Sequence, residues 1–194
     1  MKALAPVRTV APSSAILSLA DAKAHLRVLH DDEDALITAL IAAAEAHLDG
    51  FSGVLGRALV TQEWERSFDA FPACNSFRLP LGPLGDEVTL SYFDADDVEQ
   101  TFSDFHAVSD AIGPMIVLQD GATWPSTAAR PDAVKVAWRC GYGDVADVPP
   151  AIIHAAKLMI GHWYANREAA TPDPFAQMPL AVDALLAPLR AVGV

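Results

Sequence analysis

A chain of 194 residues with 52% hydrophobic and 20% charged residues has the composition of a globular protein with a core, not of a disordered one. Its net charge of −12, with lysines and arginines scattered singly, excludes a protein that grips nucleic acid by neutralising phosphates. The longest apolar runs, such as ALITALIAAA at 35–44, are too short to span a bilayer, and the proline-interrupted N-terminus lacks the apolar stretch of a signal peptide.

Residues 1–15 are rich in Pro, Ala and Ser without periodicity and read as a flexible N-terminal arm. Ser18 opens the first helix, with Asp21 completing a capping box that uses the shorter acid. Leu19, Ala22, Leu26 and Leu29 then fall on one helical face. HDDED at 30–34 interrupts, and it places negative charge at the start of a second helix, where the helix dipole favours it. Ile37, Leu40, Ile41, Ala44, Leu48 and Phe51 form the buried stripe of that helix, and Gly50 and Gly53 suit its stop. Residues 16–58 are thus expected as an antiparallel helical hairpin.

The period then changes to two. Val60, Trp64 and Phe68 share one side of 59–68; Phe77, Leu79 and Leu81 alternate in 77–81, as do Val88, Leu90 and Tyr92 in 87–93. DADD at 94–97 is turn material, so 87–93 and 98–102 are expected to form a hairpin. MIVLQD at 115–120 is a further strand, and in 132–143 Val134, Val136, Trp138 and Cys140 face in while Lys135 and Arg139 face out. Residues 59–143 therefore read as an inserted antiparallel β module. Helix returns over 144–167, with Pro149 and Pro150 in its first turn, where a missing N–H costs nothing. Ile152, Ala156, Met159 and Trp163 form one stripe and Ile153, Ile160 and Tyr164 its neighbour, a wider apolar face than a lone surface helix needs. A proline-rich linker at 168–179 leads to a last short helix with Val182, Leu185, Leu186 and Leu189 on one face, which Pro188 should kink or end. The expected fold class is α+β, mainly an α-helical bundle of about four helices with the β module inserted.

No catalytic motif is present: there is no GxGxxG, GxxxxGK[ST], HExxH or GxSxG. His154 and His162 lie eight apart on one helix without a ligand between them, which is not metal-ligand spacing. Asp31, Asp32, Glu33 and Asp34 lack the alternation and glycine of a calcium loop. Cys74 and Cys140, far apart and outside any CxxC pair, read as two reduced thiols. The expectation is a protein with no catalytic residues, no cofactor and no metal.

LSLADAKAHLRV, DDEDALITALIAAAEAHLDGFSG, WRCGYGDVADVPPAIIHAAKLMIGHWYANRE and VDALLAPLR, in that order around a β insertion, resemble the head–tail connector (head-completion adaptor) family of tailed phages, prophages and gene transfer agents. The resemblance covers about residues 16–190. It implies a structural, non-enzymatic virion protein that forms a ring, usually a dodecamer, beneath the portal protein. The ring extends the DNA channel, lets double-stranded DNA pass without specific binding, and offers a platform to stopper or tail-completion proteins. The implied location is the neck of the particle, assembled in the bacterial cytoplasm without a membrane. The C-terminal segment would reach the portal, making Val182, Leu185, Leu186, Leu189 and Arg190 docking residues whose removal leaves a folded chain. Surplus apolar helix face suggests neighbours in the ring, with Trp163 and Tyr164 as subunit anchors, although the finish of the monomer core is the slightly favoured reading of each. A channel that passes DNA should not hold it, so Asp31, Asp32, Glu33 and Asp34 are expected to face the lumen and repel phosphate. Another neck or stopper protein, or a small cytosolic hydrolase, remains as an alternative.

Overall fold

The computed structural model describes residues 1–167 and 180–191; the expected linker at 168–179 lies outside them. The chain divides into two compact units, one built chiefly from Met1–Ser13 and Thr61–Gly141, the other from Ser14–Val60 and Tyr142–Arg190. Among the described residues there are four α-helices and eight strands, so the fold is α+β, and the emphasis on a helical bundle gives way to two units of comparable weight.

The first unit is all β. A five-stranded antiparallel sheet has the order β1 (Val7–Val10), β2 (Gln62–Phe68), β8 (Val134–Cys140), β4 (Leu84–Phe93), β5 (Glu99–Phe102). The most regular alternation in the sequence lies at its centre: Val134, Val136, Trp138 and Cys140 of β8 are buried, while Lys135, Ala137 and Arg139 between them are half-buried. Trp138 sits directly opposite Trp64 on β2 and Val88 on β4. The expected hairpin between β4 and β5 forms, and Asp94 builds its turn by accepting from the amides of Asp96 and Val98 at 3.0 Å each. A second, three-stranded sheet has the order β3 (Ser76–Arg78), β7 (Pro114–Leu118), β6 (Phe105–Ser109). Phe71 stacks on Trp124 at 4.7 Å, and Phe102 and Phe77 lean on the same indole at 5.4 and 5.8 Å.

Two segments here depart from the sequence reading. Residues 1–15 are not a loose arm: β1 pairs with β2, and the pairing continues through Ala3 opposite Phe68. The guanidinium of Arg8 lies over the Trp64 ring, a contact no period-two pattern announces. Strand β6 was not expected, because FHAVS is short and its tight turn to β7 depends on Asp110, which accepts from the amides of Ile112 and Gly113 and from both terminal nitrogens of Arg78.

The second unit is helical. α1 (Leu19–Leu26) starts at Ser18, whose Oγ accepts from the Asp21 amide at 3.0 Å. It ends one turn earlier than its apolar pattern suggests, because Arg27 adopts the left-handed conformation (φ 59°). That turn buries Val28 and leaves Leu29, expected on the buried stripe, 96% exposed. α2 (Asp34–Leu48) buries Ile37, Ile41, Ala44 and Leu48, but Phe51 beyond its end is exposed. The chain turns back over α2 so closely that a Cβ on Gly53 would sit 2.4 Å from the Asp49 carbonyl oxygen. A short 3-10 turn (Val145–Asp147) leads to α3 (Pro150–Ala165), which buries Ile152, Ala155, Ala156, Met159 and Ile160. α4 (Leu180–Leu186) packs on α3 and ends in a 3-10 turn (Ala187–Leu189) that accommodates Pro188.

Because Leu186 is 1% exposed within this core, Leu186→Ala should lower stability by about 2–5 kcal/mol. Leu29→Ser, at a residue the core does not use, should change it by less than ~0.5 kcal/mol. Urea unfolding of the two variants checks both; equal effects would mean that α4 does not pack as described.

Candidate functional site

The acidic corner at 30–34 lies in the turn between α1 and α2, and most of its charge is already engaged. Lys23, on α1, places its Nζ 2.6 Å from a carboxylate oxygen of both Asp31 and Asp34. These bonds raise the Lys23 pKa and lower that of Asp31. Glu33 is held from the far end of α3: its carboxylate accepts a short hydrogen bond from the Tyr164 hydroxyl and one from an Arg167 terminal nitrogen at 2.5 Å. The bond from Tyr164, then that from Arg167, lowers the Glu33 carboxyl below its ordinary range; the same contact raises the Tyr164 hydroxyl above its own. Asp32 stands apart, 92% exposed, with the His30 ring nitrogen 3.6 Å away.

Of the four acids predicted to line a channel, then, Asp31, Glu33 and Asp34 form ion pairs inside their own unit, and Asp32 presents the least compensated carboxylate. An ion-paired carboxylate repels phosphate less than a bare one, because its partner's charge offsets it at any distance beyond the pair. Lys23 and Arg167, the residues that do the pairing, were missed by sequence reasoning. Lys23 precedes Asp31 by eight residues, and Arg167 follows Glu33 by 134, so only the meeting of α3 with the α1–α2 turn brings the second pair together.

The predicted docking helix also has an intramolecular role. Val182 and Leu186 of α4 are 2% and 1% exposed, and Leu185 and Leu189 are half-buried against the same core. The Arg57 Nε donates to the Leu189 carbonyl at 2.7 Å and closes the end of the helix, while Arg190 pairs with Asp183 at 2.8 Å. The apolar face assigned to a partner is therefore occupied by the helical core, and removal of 180–194 would uncover that core rather than leave it intact. What α4 turns outward is Leu180, 87% exposed. Trp163 and Tyr164, the predicted subunit anchors, are half-buried against the helical core.

Two adjoining shallow clefts lie where Ser14–Ser18 passes the start of α3, sharing Val145, Ile153 and Lys157. One of them is lined by Ser18 and Asp21, whose hydroxyl donates to the carboxylate at 2.6 Å as part of the α1 cap. His25 ionises below its ordinary range through burial, then through the charges of Lys157 and His154. Among the described residues no cluster of His, Cys, Asp and Glu is disposed to hold a metal, and no helix is long and apolar enough to cross a membrane. Cys74 is exposed and Cys140 is buried.

The sequence signature of the family described as phage gp6-like head–tail connector protein matches residues 16–68, which hold α1, α2 and β2. The chain resembles phage-type head–tail connectors. No curated protein matches it. Among solved structures, a chain from the neck of an empty gene transfer agent particle, computed with C6 symmetry, shares this fold with a TM-score of 0.80 and 24% identity, covering 98% of this chain and 97% of that one. A chain from the virion of a native gene transfer agent particle matches with a TM-score of 0.79, 24% identity and the same coverage. A chain from the neck of a native particle, computed with C12 symmetry, matches with 0.65 and 22%, covering 96% and 97%. The shared fold thus extends over both units, well past the stretch that carries the family signature.

Glu33 gives a pH test. A carboxyl with a lowered folded-state pKa contributes stability that is full above its unfolded value and is lost as pH falls through the folded one. Glu33→Gln should therefore unfold at lower urea than the parent at pH 7, and the gap should narrow as pH drops below about 4. A gap that stays constant to pH 3 would show that the charge on Glu33 is not what binds Tyr164 and Arg167.

Proposed function

We propose that this chain is a structural head–tail connector in the neck of a tailed phage or gene transfer agent particle. The observation that carries the reading is the agreement of fold over 98% of the chain with a particle-neck protein, joined to a connector signature at residues 16–68. In this reading copies form a ring beneath the portal protein, extend the DNA channel and receive the stopper or tail-completion protein. A dodecamer is the favoured size, in keeping with the twelvefold symmetry of one similar neck, although sixfold symmetry describes another. The protein performs no catalysis and needs no cofactor. The family match and the neck folds favour this over a hydrolase.

The packing of α4 refines how the portal would be met. With Val182 and Leu186 in the core, contact falls to the outward-facing Leu180 and Arg190. The acidic composition fits a wall that DNA slides past: a net charge of −12 per copy repels phosphate whether or not a particular carboxylate faces the lumen. Asp32 is the strongest candidate for such a lumen-facing residue.

Removing the gene from a particle-producing bacterium should yield filled or leaking heads without tails, and complementation should restore tails. Tailed, DNA-retaining particles made without the protein would overturn the connector reading. A second outcome concerns docking: Leu180→Asp, at an exposed position, should keep the fold but reduce incorporation into heads. Normal incorporation would remove Leu180 from the portal contact.

A further inference from the structure

The five-stranded sheet has two open ends, and they are complementary. β1 and β5 lie at opposite edges, and each pairs with a single neighbour in the sheet. All four residues of β1 are exposed among the described residues, including Val7 at 64% and Val10 at 49%, while Arg8 folds back over the Trp64 ring of β2. Three residues of β5 are likewise exposed, and so is Val98 in the turn before it. An edge strand that shows valines on uncovered faces invites pairing with another chain, and proteins that do not use such an edge usually guard it with charge, proline or a bulge. Here Pro6 and Pro12 bracket β1 and confine the open edge to the residues between them.

Charge separates the two edges. Residues 1–13 contain Lys2 and Arg8 and no acid. Residues 94–104 contain Asp94, Asp96, Asp97, Glu99 and Asp104 and no lysine or arginine, and with Asp97 paired to Arg130 at 2.8 Å the other four carry the edge's negative charge. A basic edge and an acidic edge at opposite ends of one sheet attract between copies, while like edges repel. Direction agrees as well. Each successive pair in the order β1, β2, β8, β4, β5 is antiparallel, so β1 and β5 run the same way. Rotating one copy onto the next about a single axis can therefore bring β5 of one beside β1 of its neighbour as a parallel pair. A head-to-tail contact of this kind closes into a ring when the rotation between copies divides a full turn.

We propose that β1 of one copy pairs with β5 of the next, so that the sheets join into a continuous β collar, and that the occupant of each open edge is a second copy of this chain. The inference rests on the connector reading, and it adds what holds neighbouring copies together. The N-terminal segment then has a role in assembly, because its strand presents the basic, valine-bearing edge to the neighbouring copy. The helical residues Trp163 and Tyr164 are not required for this contact.

The test places cysteines on both edges, Thr9→Cys and Thr101→Cys, in a Cys74→Ser background that removes the exposed native thiol. Both positions are exposed. Neighbouring strands lie about 4.8 Å apart, so a short bis-maleimide spans the pair even with the register offset by a residue. In assembled particles the double variant should give a ladder of covalent multimers on a denaturing gel, absent from either single-cysteine variant. Particles that contain the protein but yield no ladder would overturn edge pairing and leave the connector reading in place. Cross-links from Thr9→Cys to a different virion protein would also overturn it, by assigning the edge to another occupant. If the protein never enters particles, the connector reading fails and this inference falls with it. Charge substitution supplies an independent readout: Thr9→Glu should cut incorporation at least about tenfold, equivalent to ~1.4 kcal/mol of contact energy, and Glu99→Lys on the opposite edge should restore it. Loss without restoration, in a variant that folds normally, would count against the pairing of these two edges.

Discussion

The helical unit depends on one constraint, the two-sided apolar face of α3. A helix with one narrow stripe can be covered by one neighbour, but α3 buries Ile152, Ala155, Ala156, Met159 and Ile160, which span more than a single seam. α1, α2 and α4 all pack on it. The small side chains of Ala155 and Ala156 let neighbouring backbones approach, and the longer Ile152, Met159 and Ile160 fill the space between helices. Once α3 is satisfied in this way, α4 is no longer a free hook. Its leucine face completes a core that would otherwise be open, and the Arg57 bond to the Leu189 carbonyl fixes the end of that helix in place.

The same closure changes where assembly energy can come from. A surplus of apolar helix face, read from sequence as glue between copies, is largely consumed within the chain. Among the described residues the surfaces left over are of another kind: isolated hydrophobics such as Leu29 and Leu180, and the edge strands of the five-stranded sheet. Charge follows a similar rule. Three of the four acids at 31–34 spend their charge on Lys23, Arg167 and Tyr164, which pins the α1–α2 turn to the end of α3. Any repulsion of phosphate then comes from the whole acidic surface rather than from this one cluster.

Elements whose physics is local were legible in the sequence. The prolines ahead of α3, the Ser18 cap of α1, the strict alternation of β8 and the Asp94 turn each carry their cause in a few adjacent residues. What escaped was decided at long range or by one dihedral. Nothing in LRVLHDDED says that Arg27 turns left-handed and that Val28, not Leu29, goes inward. Nothing in a stretch of Pro, Ala and Val says that β2 will accept it as a partner strand. The apolar face of α4 was correctly seen, but periodicity gives a face and not its occupant, so the assignment of Val182 and Leu186 to a partner could not have been made or refused before the packing was known. The pairs around Glu33 join residues more than a hundred positions apart and have no signature in either segment alone.

The central claim is that this two-unit fold is a building block of a particle neck. A cryo-EM map of purified particles from the producing strain tests it most directly. The expected map shows a ring of copies immediately below the portal, with the helical core closed by its own α4 in each copy. A neck whose density is fully explained by other proteins, with this chain absent or found elsewhere in the particle, would contradict it.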